Sequence, residues 1–148
     1  MDISRILVPI DGSLLSLRAA EVAGGLATRF GAAITLQTVV DPPESAKSYV
    51  SETALSEVRR GLWLAADEIL EQARARIGGQ ELDIEKKIES GAPAPVIAAE
   101  ANNGYDLVVM GSRGLGAEPS EMDFLGSVAQ RVLRRVRCPV LIVPEKTT

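Results

Sequence analysis

The 148-residue chain is 46% hydrophobic but only 3% aromatic, carries a formal net charge of −4 and contains no histidine. That length suits one domain, residues 1–148, with a core of Val, Ile, Leu and Ala, and the hydrophobic content excludes a disordered chain. The acidic balance and the scarcity of aromatics argue against a nucleic-acid partner, and the lack of histidine removes every His-dependent triad, general base and metal site.

Met1-Asp2-Ile3-Ser4-Arg5 leads straight into an apolar run, without the regions of a signal peptide. No uncharged stretch is long and apolar enough to cross a membrane, so a cytoplasmic location without membrane contact is expected. Within Ile3 to Ile10, the run Ile6-Leu7-Val8 predicts a strand buried on both faces. Pro9 and Asp11-Gly12-Ser13 close it. Ser13 is placed to N-cap a helix with Leu15, Ala19, Val22, Leu26 and Phe30 on its buried face and Gly31 at its end. The internal pair Gly24-Gly25 weakens that helix by about 1 kcal/mol per glycine relative to alanine. Close packing against the sheet is expected to offset this.

Ala33 to Val40 is the second strand, stopped by Asp41-Pro42-Pro43, and a mobile loop is expected from Pro42 to about Ser51. Glu52 to Ile77 reads as a long helix with Leu55, Val58, Leu62, Ala66, Ile69, Ala73 and Ile77 on its stripe. Trp63 lies one position off it, and Gly78-Gly79 ends it. Leu82 to Ile88 alternates apolar and charged residues, as suits an edge strand whose lysines discourage further pairing. Gly91-Ala92-Pro93 turns the chain, Pro95 opens a short helix to about Asn102, and Gly104 caps it. Asp106 to Met110 is the fourth strand, Ser127 to Arg137 the last helix and Val140 to Val143 the fifth strand. Cys138, the single cysteine, reads as a small buried residue rather than a reactive thiol.

The order β-α-β-α-β-α-β-α-β predicts an α/β fold: one three-layer, open, mostly parallel five-stranded sheet with helices on both faces, Rossmann-like in its winding. Ligands of such sheets bind beyond the carboxyl ends of strands where strand order reverses. The first strand ends in Pro9-Ile10-Asp11-Gly12-Ser13 and the fourth in Met110-Gly111-Ser112-Arg113-Gly114, with Gly126-Ser127-Val128 opening the last helix. If these strands are neighbours, Asp11 and the glycine loop face one crevice, and strand, glycine loop and helix N-terminus together suit a phosphate. No P-loop, no G-x-G-x-x-G after the first strand and no nucleophile elbow is present.

Each of these residues also has a structural reading. Asp11 suits an Asx-turn, Gly111 and Gly114 suit positive φ in a turn, and Ser127 with Gln130 suits a capping box. Arg113 suits a solvated loop position. Arg131, Arg134, Arg135 and Arg137 suit the dipole at the end of a helix.

Arg5-Ile6-Leu7-Val8-Pro9-Ile10-Asp11-Gly12-Ser13, Asp106-Leu107-Val108-Val109-Met110-Gly111-Ser112-Arg113-Gly114 and Cys138-Pro139-Val140-Leu141-Ile142-Val143 are each close to consensus stretches of one family. Over essentially its whole length the chain resembles the universal stress proteins. The resemblance implies an adenine nucleotide alpha hydrolase-like fold and a stress-response role. It implies ATP, ADP or AMP as a regulatory ligand, with or without magnesium. It places that nucleotide on Pro9, Asp11, Val40, Met110, Gly111, Arg113, Gly114, Gly126, Ser127 and Val128, with backbone groups of Val39, Val40 and Asp41 reading the adenine edge. It also implies a homodimer joined through the last strand, and an unidentified partner protein.

The family's nucleotide-binding branch shows a Gly, two residues, a Gly, nine residues, then Gly and Ser or Thr. Here Gly111, Gly114 and Gly126-Ser127 match, but the intervening loop is two residues longer and holds Glu118, Glu121 and Asp123. These carboxylates repel a triphosphate unless a cation bridges them or the loop points away. Two alternatives stand beside nucleotide sensing: a domain acting through protein contacts alone, and a slow ATP hydrolase. No catalytic residue is assigned, because no general base accompanies the glycine loop.

Overall fold

The computed structural model describes residues 1–41, 51–78, 81–115 and 125–145. The expected loop, over residues 42–50, lies outside them, as do Glu118, Glu121 and Asp123. Nine elements follow in order: β1 (Arg5–Pro9), α1 (Leu14–Phe30), β2 (Ala33–Val40), α2 (Glu52–Arg76), β3 (Ile84–Ser90), α3 (Pro93–Ala101), β4 (Leu107–Gly111), α4 (Ser127–Arg135) and β5 (Val140–Val143). The five strands form one sheet in the order β3-β2-β1-β4-β5, every pair parallel. Winding runs outward from β1 through β2 to β3, then restarts on the other side with β4 and β5. The reversal therefore falls between β1 and β4.

Two apolar layers hold the sheet. On one side Ile6, Val8, Ile34, Leu36 and Val109 pack against Ala19, Ala20, Ala23 and Ala27 of α1 and Leu70 and Ala73 of α2. On the other, Leu7, Val108 and Met110 meet Ala94, Ile97 and Ala101 of α3 and Ala129 and Val132 of α4. No helix among the described residues is long and apolar enough to cross a membrane.

Several expected details shift. The buried face of α1 is Ser16, Leu17, Ala19, Ala20, Ala23, Gly24 and Ala27, whereas Phe30 is 52% exposed. A helix laid this close to a sheet buries its small residues and leaves the large ones at its margins. Gly24 is needed against α2 rather than against the sheet: a Cβ there would lie 2.9 Å from Ile77 Cγ2, while Gly25 faces open space. On α2 the buried residues are Ala66, Leu70 and Ala73, and Val58 and Trp63 are exposed.

β3 runs two residues later than its alternation suggested. Its lysines also do more than protect an edge: Lys86 pairs with Asp67 and Glu71 of α2, and Lys87 with Glu100 of α3. α3 opens at Pro93 rather than Pro95 and is C-capped by Asn102, Gly104 taking positive φ in the following turn. α4 ends at Arg135, with Arg134 and Arg135 in its last turn. Cys138 is only partly buried, and desolvation pushes its thiol up from its ordinary value.

The end of the sheet away from the crevice is tied by Asp106. Its Oδ2 accepts from Ser4 N (2.9 Å), Ser4 Oγ (3.0 Å) and Arg5 N (3.0 Å), and these donors hold the carboxyl below its ordinary range. A carboxyl depressed on folding contributes stability that is present above its unfolded pKa and lost as pH falls through the folded value. Acid unfolding should therefore show Asp106→Asn to be less stable than the parent at neutral pH, the difference shrinking as pH drops below about 4. A difference constant from pH 7 to pH 2 would rule out this linkage.

Candidate functional site

A cavity of about 410 Å³ opens at the reversal point, between the carboxyl ends of β1 and β4 and beneath the start of α4. That volume is in the range of small-molecule sites. Of the expected residues, Pro9, Asp11, Met110, Gly111, Arg113, Gly114, Gly126, Ser127 and Val128 all line it. Val40 does not. Strand alternation sends it to the opposite face from Val39, which lines the cavity, and its carbonyl accepts from Gly91 N (3.0 Å).

Asp11 fills two structural roles at once. Its Oδ1 accepts from Ser13 N (2.9 Å), closing the turn between β1 and α1, where Gly12 has φ +88°. Its Oδ2 accepts from Leu115 N (2.9 Å), strapping the glycine loop to the end of β1. A carboxylate offers about four lone-pair directions, so the two bonds leave capacity toward the cavity.

Gly111, Gly114 and Gly126 have no positive φ, which overturns the turn reading of the first two. They are required by close approach instead. A Cβ on Gly111 would lie 2.9 Å from Leu15 Cβ and 3.2 Å from the Leu15 carbonyl carbon. One on Gly114 would run into Asp11 Oδ2, and one on Gly126 would lie 3.2 Å from Arg113 Cα.

The N-cap of α4 is Gly126, so the expected capping box on Ser127 does not form. Gln130 Nε2 reaches back to the Leu125 carbonyl (2.6 Å) instead. The first intrahelical bond runs from Gln130 N to the Gly126 carbonyl (3.0 Å). The N–H groups of Ser127, Val128 and Ala129 precede it and have no intrahelical acceptor, and all three residues line the cavity. The Ser127 side chain is exposed and takes no part in the cap. Arg113 is not a solvated loop residue: its side chain is 14% exposed and ion-paired with Glu145.

A family model described as the universal stress protein family matches residues 2–144. The chain belongs to the universal stress protein family. A universal stress protein from Thermus aquaticus is 36% identical over 139 residues, spanning 93% of this chain and 96% of that one. The solved structure of hypothetical protein MJ0577 superposes with a TM-score of 0.85 at 26% identity, each chain covered in full. A universal stress protein solved in complex with cAMP matches with a TM-score of 0.68 at 29% identity, over 97% of this chain and 98% of that one.

Within this universal stress protein, several cavity-lining residues escaped the sequence, Ser16 of α1 among them. Pro93 and Ile97 of α3 enter because α3 and α4 share a face, which no local pattern reveals. Gln37 does carry a local signal: a long polar side chain in the middle of a strand that otherwise reads as buried.

Proposed function

We propose that this universal stress protein binds an adenine nucleotide as a regulatory ligand, in the crevice between β1 and β4. The observation that carries the reading is the convergence of Asp11, the close-packed glycines and the free N–H groups of α4 on one cavity. Phosphates would lie at the start of α4, where free amides and the helix dipole favour anions. Gly114 and Gly126 leave room for them. The base would lie toward the apolar wall of Val39, Ile97 and Met110, and the spare capacity of Asp11 would take a ribose hydroxyl. The cAMP complex of a 29% identical relative supports this assignment of ligand class.

Calorimetric titration with AMP, ADP, ATP and cAMP, with and without magnesium, tests it. Saturable 1:1 binding of at least one is expected, and no binding of any overturns the reading. The acidic loop adds a second expectation. With Glu118, Glu121 and Asp123 replaced by Ser or Asn, ATP affinity in EDTA should rise by about three- to tenfold through relieved repulsion. Equal affinity of parent and triple variant in EDTA would show that these carboxylates do not face the phosphates.

We propose further that two copies join through β5. It is the terminal strand of the sheet, and its Leu141 is 39% exposed. An uncharged apolar edge invites another strand, and a twofold contact of this kind closes at a dimer.

A further inference from the structure

Gln37 is 1% exposed, and neither Oε1 nor Nε2 of its amide has a hydrogen-bond partner among the described residues. Most buried polar atoms in folded proteins are paired, so an idle amide at the wall of a cavity calls for a reason. Its neighbour Leu36 packs into the α1–α2 layer, so alternation puts Thr35, Gln37 and Val39 on the other face, where the cavity opens. Thr35 is satisfied by the Tyr105 hydroxyl, which donates to its Oγ1 (2.9 Å). Gln37, one step nearer the carboxyl end, is not. Its position is fixed: it is in register with Pro9 of β1, and its carbonyl accepts from Ile10 N (2.7 Å). Only the side-chain amide is left to turn, and the last torsion of glutamine is soft enough for it to swing toward a ligand.

We infer that Gln37 is the residue that reads the base. Its Oε1 accepts from the exocyclic amino group of a 6-aminopurine while Nε2 donates to the adjacent ring nitrogen, a two-bond match of amide to adenine. The inference rests on the nucleotide reading above and deepens it. The side chains of Val39, Ile97 and Met110 beside it offer flat apolar contact, and among them Gln37 brings a side-chain amide that can both donate and accept at a base edge.

The test compares AMP with purine riboside 5′-monophosphate, which lacks the amino group, on the parent and on Gln37→Met. The parent should prefer AMP by about tenfold or more, and the variant should lose about tenfold of that preference. Thermal unfolding of the unliganded proteins provides the folding control. Met keeps the length of the side chain and removes an unpaired buried amide, so the variant should be at least as stable as the parent. Gln37→Leu serves if the Met variant does not fold. A parent without the preference, or an AMP preference equal in parent and variant, overturns the role of Gln37 and leaves the nucleotide site standing. It would mean that the amide serves only a buried water. A parent that binds no adenine nucleotide overturns both.

Discussion

Gly114→Val is expected to lower nucleotide affinity by about ten- to a hundredfold while the protein still folds. The side chain that must give way is the carboxylate of Asp11, because a Cβ on Gly114 occupies the place of Oδ2. Displacing it breaks the bond to Leu115 N, which holds the glycine loop against the end of β1. The loop, the Asp11 carboxylate and the approach to the free amides of α4 are then misplaced together. Stability suffers less. The broken bond is exposed, so its loss costs about 1 kcal/mol, a small part of a domain's total. Gly25→Ala is the matched control: it adds a Cβ in open space within α1 and should leave affinity unchanged. Titration with ATP beside thermal unfolding separates the effects. Unchanged ATP affinity in a folded Gly114→Val protein removes the loop from the site.

Ile142→Pro is expected to convert the proposed dimer to monomer, weakening association on the order of a hundredfold. The backbone identifies this position over its neighbour. The Pro139 and Val143 carbonyls accept from Val108 N (3.0 Å) and Ser112 N (2.9 Å), so the odd-numbered residues of β5 face β4. Val140 and Ile142 accordingly turn their N–H and carbonyl groups to the open edge. Proline at Ile142 removes a donor that only a partner strand would use, and an isologous interface suffers the loss twice. Leu141→Pro should instead damage the β4–β5 ladder and lower the melting temperature. Sedimentation velocity at micromolar concentration checks both, and a parent that sediments as a monomer rules out the assembly.

Legibility followed how local each signal was. Ile6-Leu7-Val8 announced a strand buried on both faces, and Ile6, Leu7 and Val8 are each 0% exposed. Ser13 was recognisable as an N-cap because the cap bond, from Ser16 N to Ser13 Oγ (3.2 Å), lies within one helical turn. At α4 the same logic chose the wrong residue. Gly126 and Ser127 are both acceptable caps by composition, and the bond from Gly126 N to the Ser112 carbonyl (2.8 Å) selects the glycine. The buried face of α1 differs from its apolar spacing because spacing marks the large apolar residues, whereas close helix–sheet packing selects the small ones. Arg113 looked free because its partner, Glu145, lies beyond the last strand.

Periodicity and turn chemistry act over a few residues, so the succession of strands and helices, the parallel α/β class and the residues gathered at the two strand ends are legible in the amino-acid order. The assembled fold alone makes β1 and β4 neighbours, lets Asp11 strap the glycine loop, and sets Gln37 at the cavity with its amide unpaired among the described residues. Those are contacts between residues far apart in the chain. They follow from which apolar faces can be buried together, and no local pattern encodes that choice.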